Sequence, residues 1–361
     1  MNKLVCFHLF NDFSGSPKVL RMVIEGLANK GIRIDVITSR GEGSLSGLAK
    51  RKEVRMNQYA YRFSSNGLVT MLRYSGVQLY TFLFAFRYLF SRNTVFYINT
   101  ILPVGAALAG KLMGKRVVYH YHEDAGTKGA FYQLLAGIMQ KLASEIICVS
   151  EYQWSFLKRK KGVYVVPNAV PKTFVEQLNV NPQEAFERKR VLMLGSLKEY
   201  KGTREFIELA AKLKKYAFEL VLNETVENIA AFWKESGMVK PENLTIYPRQ
   251  DNVAPFYNRA SAVLNLSNKN LFIETFGLTA LEAMSAGLPV IVPTVGGIAE
   301  LVEDGVNGYR IDVQDLEKIE QTIQNILTSK ELYFKLSKGA WQCSQKYSEQ
   351  AMIESIENIL D

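Results

Sequence analysis

The chain has 361 residues, 48% of them hydrophobic and 22% charged, which suits two domains with a core each and excludes a disordered or collagen-like polymer. Its three cysteines, Cys6, Cys148 and Cys343, stand far apart with no CxxC pair, so neither a disulfide framework nor a zinc site is expected and a reducing cytoplasm is the default setting. The net charge of +9 is uneven: residues 1–170 carry 23 Lys or Arg against 9 Asp or Glu, and residues 171–361 carry 21 against 26. A basic first half calls for an anionic partner, and charge alone leaves lipid, a polyanionic acceptor and nucleic acid open.

The first ten residues form an apolar run interrupted by His8 and closed by Asn11 and Asp12, without a small-residue cleavage site. They read as a first strand and not as a signal peptide. A strand at 4–10, a helix at 17–30 and a strand at 33–38 follow βαβ logic and imply a parallel sheet. The connection 11–17 carries Gly15 and Pro17; it suits backbone N–H groups turned toward a phosphate, and equally a plain helix cap at Ser16. Residues 41–66 are polar and basic and read as an exposed segment. A helix at 68–92, rich in Leu, Phe and Tyr with Arg73, Arg87 and Arg92 interspersed, either packs on the sheet or lies in a membrane interface. Its most apolar part, 79–90, is too short and too charged at Arg87 to span a bilayer.

A strand at 94–99, a small-residue helix at 104–113 and a strand at 116–124 come next. His120 and His122 alternate along this last strand and so share a face. His122 stands at the C-terminal end, where open α/β sheets place ligands. A buried structural role is the competing reading, and without a third ligand no metal site is expected. A helix at 132–144, a strand at 145–150 and a helix from 151 complete the half. The basic run 158–161 is expected to end that last helix, offsetting its dipole, or to touch lipid headgroups, with a solvated charge run as the default. Periodicity stops after 168 and 171–189 reads as a linker or a short helix beside one, which sets domains at 1–170 and 171–345. A final helix within 346–361 is expected to pack back toward the first domain.

The second half restarts with a strand at 190–197, the turn Lys198-Glu-Tyr-Lys-Gly202 and a helix at 203–213. Strand, glycine and lysine at a helix entrance suit a phosphate, with a solvent-facing Lys201 as the plain alternative. Strands at 218–222, 244–247 and 262–266 continue the alternation. Then comes Glu274-Thr-Phe-Gly-Leu-Thr-Ala-Leu-Glu282. An eight-residue step on a helix rotates about 80° beyond two turns, so the two carboxylates would not stack if both were helical. Glu274 is therefore placed in the loop and Glu282 about one turn inside the helix. The amides of Phe276, Gly277 and Leu278 become unpaired donors at a helix N-terminus, a setting that favours phosphate.

This stretch, written Glu-x-Phe-Gly-x4-Glu-Ala-Met-x-Ala-Gly-x-Pro-Val-Ile, is followed by Gly296-Gly297-x2-Glu300 and Gly305-x2-Gly308. It is preceded by His122, Val166-Pro-Asn168 and Gly195-x-Leu-x3-Lys-Gly202. In that order the motifs resemble the retaining glycosyltransferases of the GT-B fold, family four, over most of the chain and more weakly from about residue 40 to 110. The resemblance implies an α/β protein of two Rossmann-like βαβ domains facing each other across a cleft, the first binding the acceptor and the second the nucleotide-sugar. It implies transfer of a sugar from a UDP or GDP donor to a saccharide acceptor. A lipid-linked acceptor in bacterial-type surface polysaccharide or glycolipid synthesis, at an anionic inner membrane face, fits the basic first half. Neither metal nor cofactor nor nucleic acid is implied.

Residue by residue, the resemblance makes Glu274 the grip on donor-sugar hydroxyls and Glu282 the grip on the ribose. Lys201 and the amides of Phe276, Gly277 and Leu278 hold the diphosphate. His122 lies beside the donor sugar and Gly15 turns toward the diphosphate. Ser196 stands where the family commonly has an arginine; either Lys198 or Arg204 substitutes from nearby, or the leaving group relies on Lys201 and the amides alone. An epimerase or phosphorylase on a related scaffold, and a silent sugar-nucleotide binder, are the alternatives.

Overall fold

The computed structural model describes residues 3–361; Met1 and Asn2, which open the expected first domain, lie outside the described residues. The chain divides into two compact units, Met1–Asn168 with Glu349–Asp361, and Ala169–Ser348.

In the first unit seven parallel strands, β1 (Lys3–Phe7), β2 (Arg33–Ser39), β3 (Val54–Tyr59), β4 (Thr94–Asn99), β5 (Arg116–Tyr121), β6 (Glu145–Cys148) and β7 (Val163–Val165), lie in the order β3-β2-β1-β4-β5-β6-β7. Helices α1 (Gly15–Asn29), α2 (Gly67–Ala85), α3 (Val104–Leu112), α4 (Ala130–Leu142) and α5 (Glu151–Phe156) connect them. All six residues of β4 are buried, as a central parallel strand covered on both faces requires. The strand order reverses between β1 and β4, and such a switch point leaves a crevice at the carboxyl ends of the strands.

The second unit begins with short helices α6 (Lys172–Val175) and α7 (Pro182–Arg188) in the region expected as a linker or a short helix beside one. Its strands β8 (Arg190–Gly195), β9 (Ala217–Leu222), β10 (Leu244–Tyr247), β11 (Ala262–Leu264), β12 (Val290–Val292) and β13 (Gly308–Arg310) form a second parallel sheet in the order β10-β9-β8-β11-β12-β13. Here the switch point falls between β8 and β11. Helices α8 (Thr203–Lys212), α9 (Val226–Ser236), α10 (Ala254–Arg259), α11 (Leu278–Ser285), α12 (Gly297–Glu300), α13 (Leu316–Thr328) and α14 (Lys330–Ser344) complete it. On β9 the buried Glu219 is held by Arg190 and, at 2.9 Å, by Arg259.

The final helix, α15 (Glu349–Leu360), packs on α1, where Gly26 admits Ile353. The Arg116 guanidinium donates to the carbonyls of Ile359 and Leu360 at its end.

Three expectations change. The segment 41–66 contains β3, an edge strand whose exposed Arg55 and Gln58 gave it a polar look. The cap of α1 is Ser14, held by Asp12, and Ser16 lies inside the first turn. Finally, α5 ends at Phe156, before the basic run. Lys160 reaches back to the Trp154 carbonyl at 2.6 Å, whereas Arg159 serves a different helix, donating to the Ala143 carbonyl at 2.6 Å beyond the end of α4. Among the described residues no helix is long and apolar enough to cross a membrane.

Candidate functional site

In the second unit the switch point brings together the loops after β8 and β11. β8 ends at Gly195, and the chain passes through Ser196 into a 3-10 turn, Glu199–Lys201, before α8. Gly202 holds φ +73°, and a Cβ there would stand 2.2 Å from the Leu266 carbonyl oxygen. Only glycine lets the Lys201 turn press this close to the loop following β11. The Lys201 ammonium then meets Glu274 Oε1 at 2.5 Å, and Ser267 donates to the same oxygen at 2.9 Å. With side-chain exposures of 24% and 15%, the pair is partly buried, and the Lys201 ammonium is tied to Glu274 rather than extended into solvent. Burial alone would push the Glu274 carboxyl up. The Lys201 charge and hydrogen bonds from Lys201, Ser267 and Asn265 outweigh it and hold the carboxyl below its ordinary value.

Beneath the ammonium, Tyr200 and Phe272 stack at 4.6 Å, and Lys201 Nζ lies 4.6 Å from the Phe272 ring centre. Such a floor keeps the cation desolvated on one side. The nearby cations expected to replace an arginine at Ser196 are placed differently. Arg204 lies over the Phe232 ring and Lys198 lies 5.9 Å from the Tyr200 ring centre.

Glu274 lies in the loop and Glu282 is the fifth residue of α11. Gly277 caps this helix at φ +94°, where a Cβ would come within 2.4 Å of Ile298. Among the described residues the amides of Phe276, Gly277 and Leu278 reach no backbone acceptor, so they remain donors at a helix start. Tyr257 donates to Glu282 Oε2 at 2.6 Å. Burial first, and the adjacent carboxylate second, push the Tyr257 phenol well above its ordinary value, which keeps it a donor. Ser267 and Tyr257 escaped the sequence reading. Ser267 follows the end of β11, where ligand-facing polar residues could have been sought, whereas Tyr257 reads in sequence as an ordinary core aromatic.

In the first unit the switch point gathers His8, just past β1, with Asn99 at the end of β4 and His122 just past β5. His120 and His122 have ring centres 4.1 Å apart. His120 is wholly buried and bonded to the Tyr97 hydroxyl at 2.6 Å, and burial lowers its pKa to about 3. Burial, followed by His120 and His8, takes His122 well below the ordinary histidine value. Gly15 is the first residue of α1. Among the described residues no group of three His, Cys, Asp or Glu is placed to hold a metal ion.

Residues 13–174 match the family described as Glycosyltransferase Family 4, and residues 175–342 match Glycosyl transferases group 1. An uncharacterized glycosyltransferase of Haemophilus influenzae is 25% identical over 223 residues. That match covers 60% of this chain and about three fifths (61%) of the relative. The chain also resembles the crystal structure of Anabaena HepE in complex with UDP and glucose, at 17% identity with a TM-score of 0.76 over 99% of both chains. A lipopolysaccharide outer core galactosyltransferase, WaaB, in its apo form gives 18% identity and a TM-score of 0.72 over 99% of both chains. At these identities the structural likeness is one of fold.

Proposed function

The chain belongs to the GT-B glycosyltransferases of family 4, and we propose that it moves a sugar from a UDP- or GDP-linked donor onto a saccharide acceptor with retention and without a metal ion. The observation that carries this reading is the second unit's grouping of Lys201, Glu274 and the unspent amides at the start of α11. One cation and a helix N-terminus suit a diphosphate, and two carboxylates on either side suit hydroxyls of a sugar and a ribose. Tyr257 orients Glu282 for the ribose. His122, its proton affinity lowered by burial, is assigned to a donor-sugar hydroxyl, and Gly15 to the diphosphate.

In the reaction the bond from the anomeric carbon to the diphosphate oxygen breaks. The acceptor oxygen bonds on the same face, and its proton passes to the departing phosphate. Lys201 and the amides stabilise the charge that grows on that phosphate, which is where preorganised donors contribute most. Ser196 supplies no charge, so Lys201 is the principal cation.

The acceptor is proposed to be lipid-linked, reached at the cytoplasmic face of an anionic membrane. Leu68, Leu72, Leu79 and Leu83 form an exposed ridge along α2, opposite its buried Val77, Thr81 and Ala85, and Phe90 beyond the helix is 92% exposed. Residues 54–122 around it hold eight Lys or Arg and no Asp or Glu, a composition suited to anionic headgroups. Flotation with anionic vesicles at low salt tests this part; absence of binding would leave a soluble acceptor. A hydrolysis screen over UDP-, GDP- and ADP-sugars tests the transferase itself. Release of free sugar from one donor class is the expected result, and an isomerised sugar nucleotide would point to an epimerase instead.

A further inference from the structure

All three histidines of the chain meet in the first unit around one asparagine. Strands β1, β4 and β5 are neighbours, so His8, Asn99 and His122 follow one another across their carboxyl ends. Asn99 is wholly buried. Its Nδ2 lies 3.3 Å from the Ser16 carbonyl oxygen and 3.1 Å from His8 Nδ1, and its Oδ1 lies 3.0 Å from His122 Nε2.

These contacts fix donor and acceptor at the bonded atoms. A backbone carbonyl only accepts, so the amide nitrogen must face Ser16 and the amide oxygen must face His122. That oxygen also only accepts, so His122 donates from Nε2. The amide nitrogen only donates, so His8 Nδ1 carries a lone pair. The His8 ring is therefore the neutral Nε2–H tautomer, its Nε2 reaching no partner among the described residues, and His122 carries its proton on Nε2, with burial favouring the neutral ring. Burial lowers the proton affinity of both, opposed at His8 by Asp12 and by the backbone of Asn99 and Phe10. Next in the chain, Thr100 holds φ +73° while its N–H donates to the His120 carbonyl at 2.9 Å. Non-glycine residues keep that conformation where the surroundings over-determine it.

We propose that Asn99 is a positioning residue: it selects the His122 tautomer, fixes the ring plane, and ties both to the start of α1 through Ser16. With Nε2–H committed to Asn99, the acceptor atom of His122 is Nδ1. His8 completes the arrangement, because a proton on its Nδ1 would oppose the Asn99 N–H. The importance of this tie for transfer rests on the assignment of His122 to the donor sugar; the tautomer itself does not.

The test is nitrogen-15 NMR of the full chain labelled in its three histidines, together with the pH profile of transfer. Wild type is expected to show neutral Nε2–H signals for His8 and His122. Asn99→Asp replaces the amide donor by an acceptor and brings a negative charge, raising the proton affinity of both rings. Transfer should then fail as pH falls through the raised value and recover on the alkaline side, with kcat reduced on the order of tenfold or more at neutral pH and the donor KM little changed. Other titratable groups around the rings include His120, Tyr97, Glu123 and Asp12, and these remain in the variant. Asn99→Ser, which loses both ties without adding charge, should give mixed tautomers if the aspartate variant does not fold. An Nδ1–H or mixed His122 in wild type overturns the proposal, as does an Asn99→Asp profile parallel to wild type. Wild-type Nε2–H signals with no turnover of any donor would instead overturn the transferase reading and leave the Asn99 tie in place.

Discussion

Replacing Lys201 by methionine keeps the length of the side chain and removes its charge, leaving the Glu274 carboxylate with Ser267 and Asn265 only. Breaking a fully buried ion pair costs about 3–5 kcal/mol and an exposed one about 0–1 kcal/mol. At 24% and 15% exposure this pair falls between, so Lys201→Met should lose about 2 kcal/mol at pH 7, a folding equilibrium shifted by a factor of about 30. The pH dependence follows from Glu274. In the wild type its folded pKa is held below the unfolded value, so the pair's contribution is full above the unfolded pKa and is lost as pH falls through the folded one. In the variant burial dominates and raises the folded pKa, so protonation relieves the unpaired charge. Urea unfolding at pH 7 and near pH 4 should therefore give a larger loss at the first than at the second. Lys201→Met combined with Glu274→Gln should cost clearly less than the two single changes added together. Equal losses at both pH values, or strict additivity, would refute the reasoning.

Tyr257→Phe removes the donor to Glu282 and should weaken binding of the nucleoside diphosphate by about 1.5–3 kcal/mol, the range for hydrogen bonds to charged groups, read by calorimetric titration on a protein that stays folded. Glu219→Ala leaves Arg190 and Arg259 without their shared carboxylate; because both guanidiniums are about one-third exposed, a loss of about 2–3 kcal/mol is expected, below the fully buried range, measured by urea unfolding. Gly277→Ala would place a Cβ 2.4 Å from Ile298 at φ +94° and should cost about 1–3 kcal/mol of stability, which thermal unfolding reports.

Much of this architecture is legible from residues whose pattern is local. The strand 94–99 reads directly as β4, because six consecutive buried residues have no polar side to confuse the period. Glu274 and Glu282 fall in loop and helix, the placement preferred because an eight-residue step would not stack two helical carboxylates. Long-range pairing is what sequence hides. β3 is recognisable as a strand only beside β2, since this edge strand buries only its two end residues, Val54 and Tyr59. Tyr257 acquires its role only when α10 and α11 pack. His8 joins the pair at 120 and 122 only because β1 and β5 flank β4. The α1 cap moved from Ser16 to Ser14 because Asp12 holds the Ser14 amide and hydroxyl, a local bond that competes with the Pro17 signal.

The central claim is that Glu274 grips the donor sugar beside Lys201. The most direct measurement is transfer from the donor found active in the hydrolysis screen, by wild type and by Glu274→Ala shown to be folded by near-ultraviolet circular dichroism. The account predicts that transfer is abolished while the nucleoside diphosphate still binds through Lys201 and the α11 amides; a transfer rate equal to wild type would contradict it.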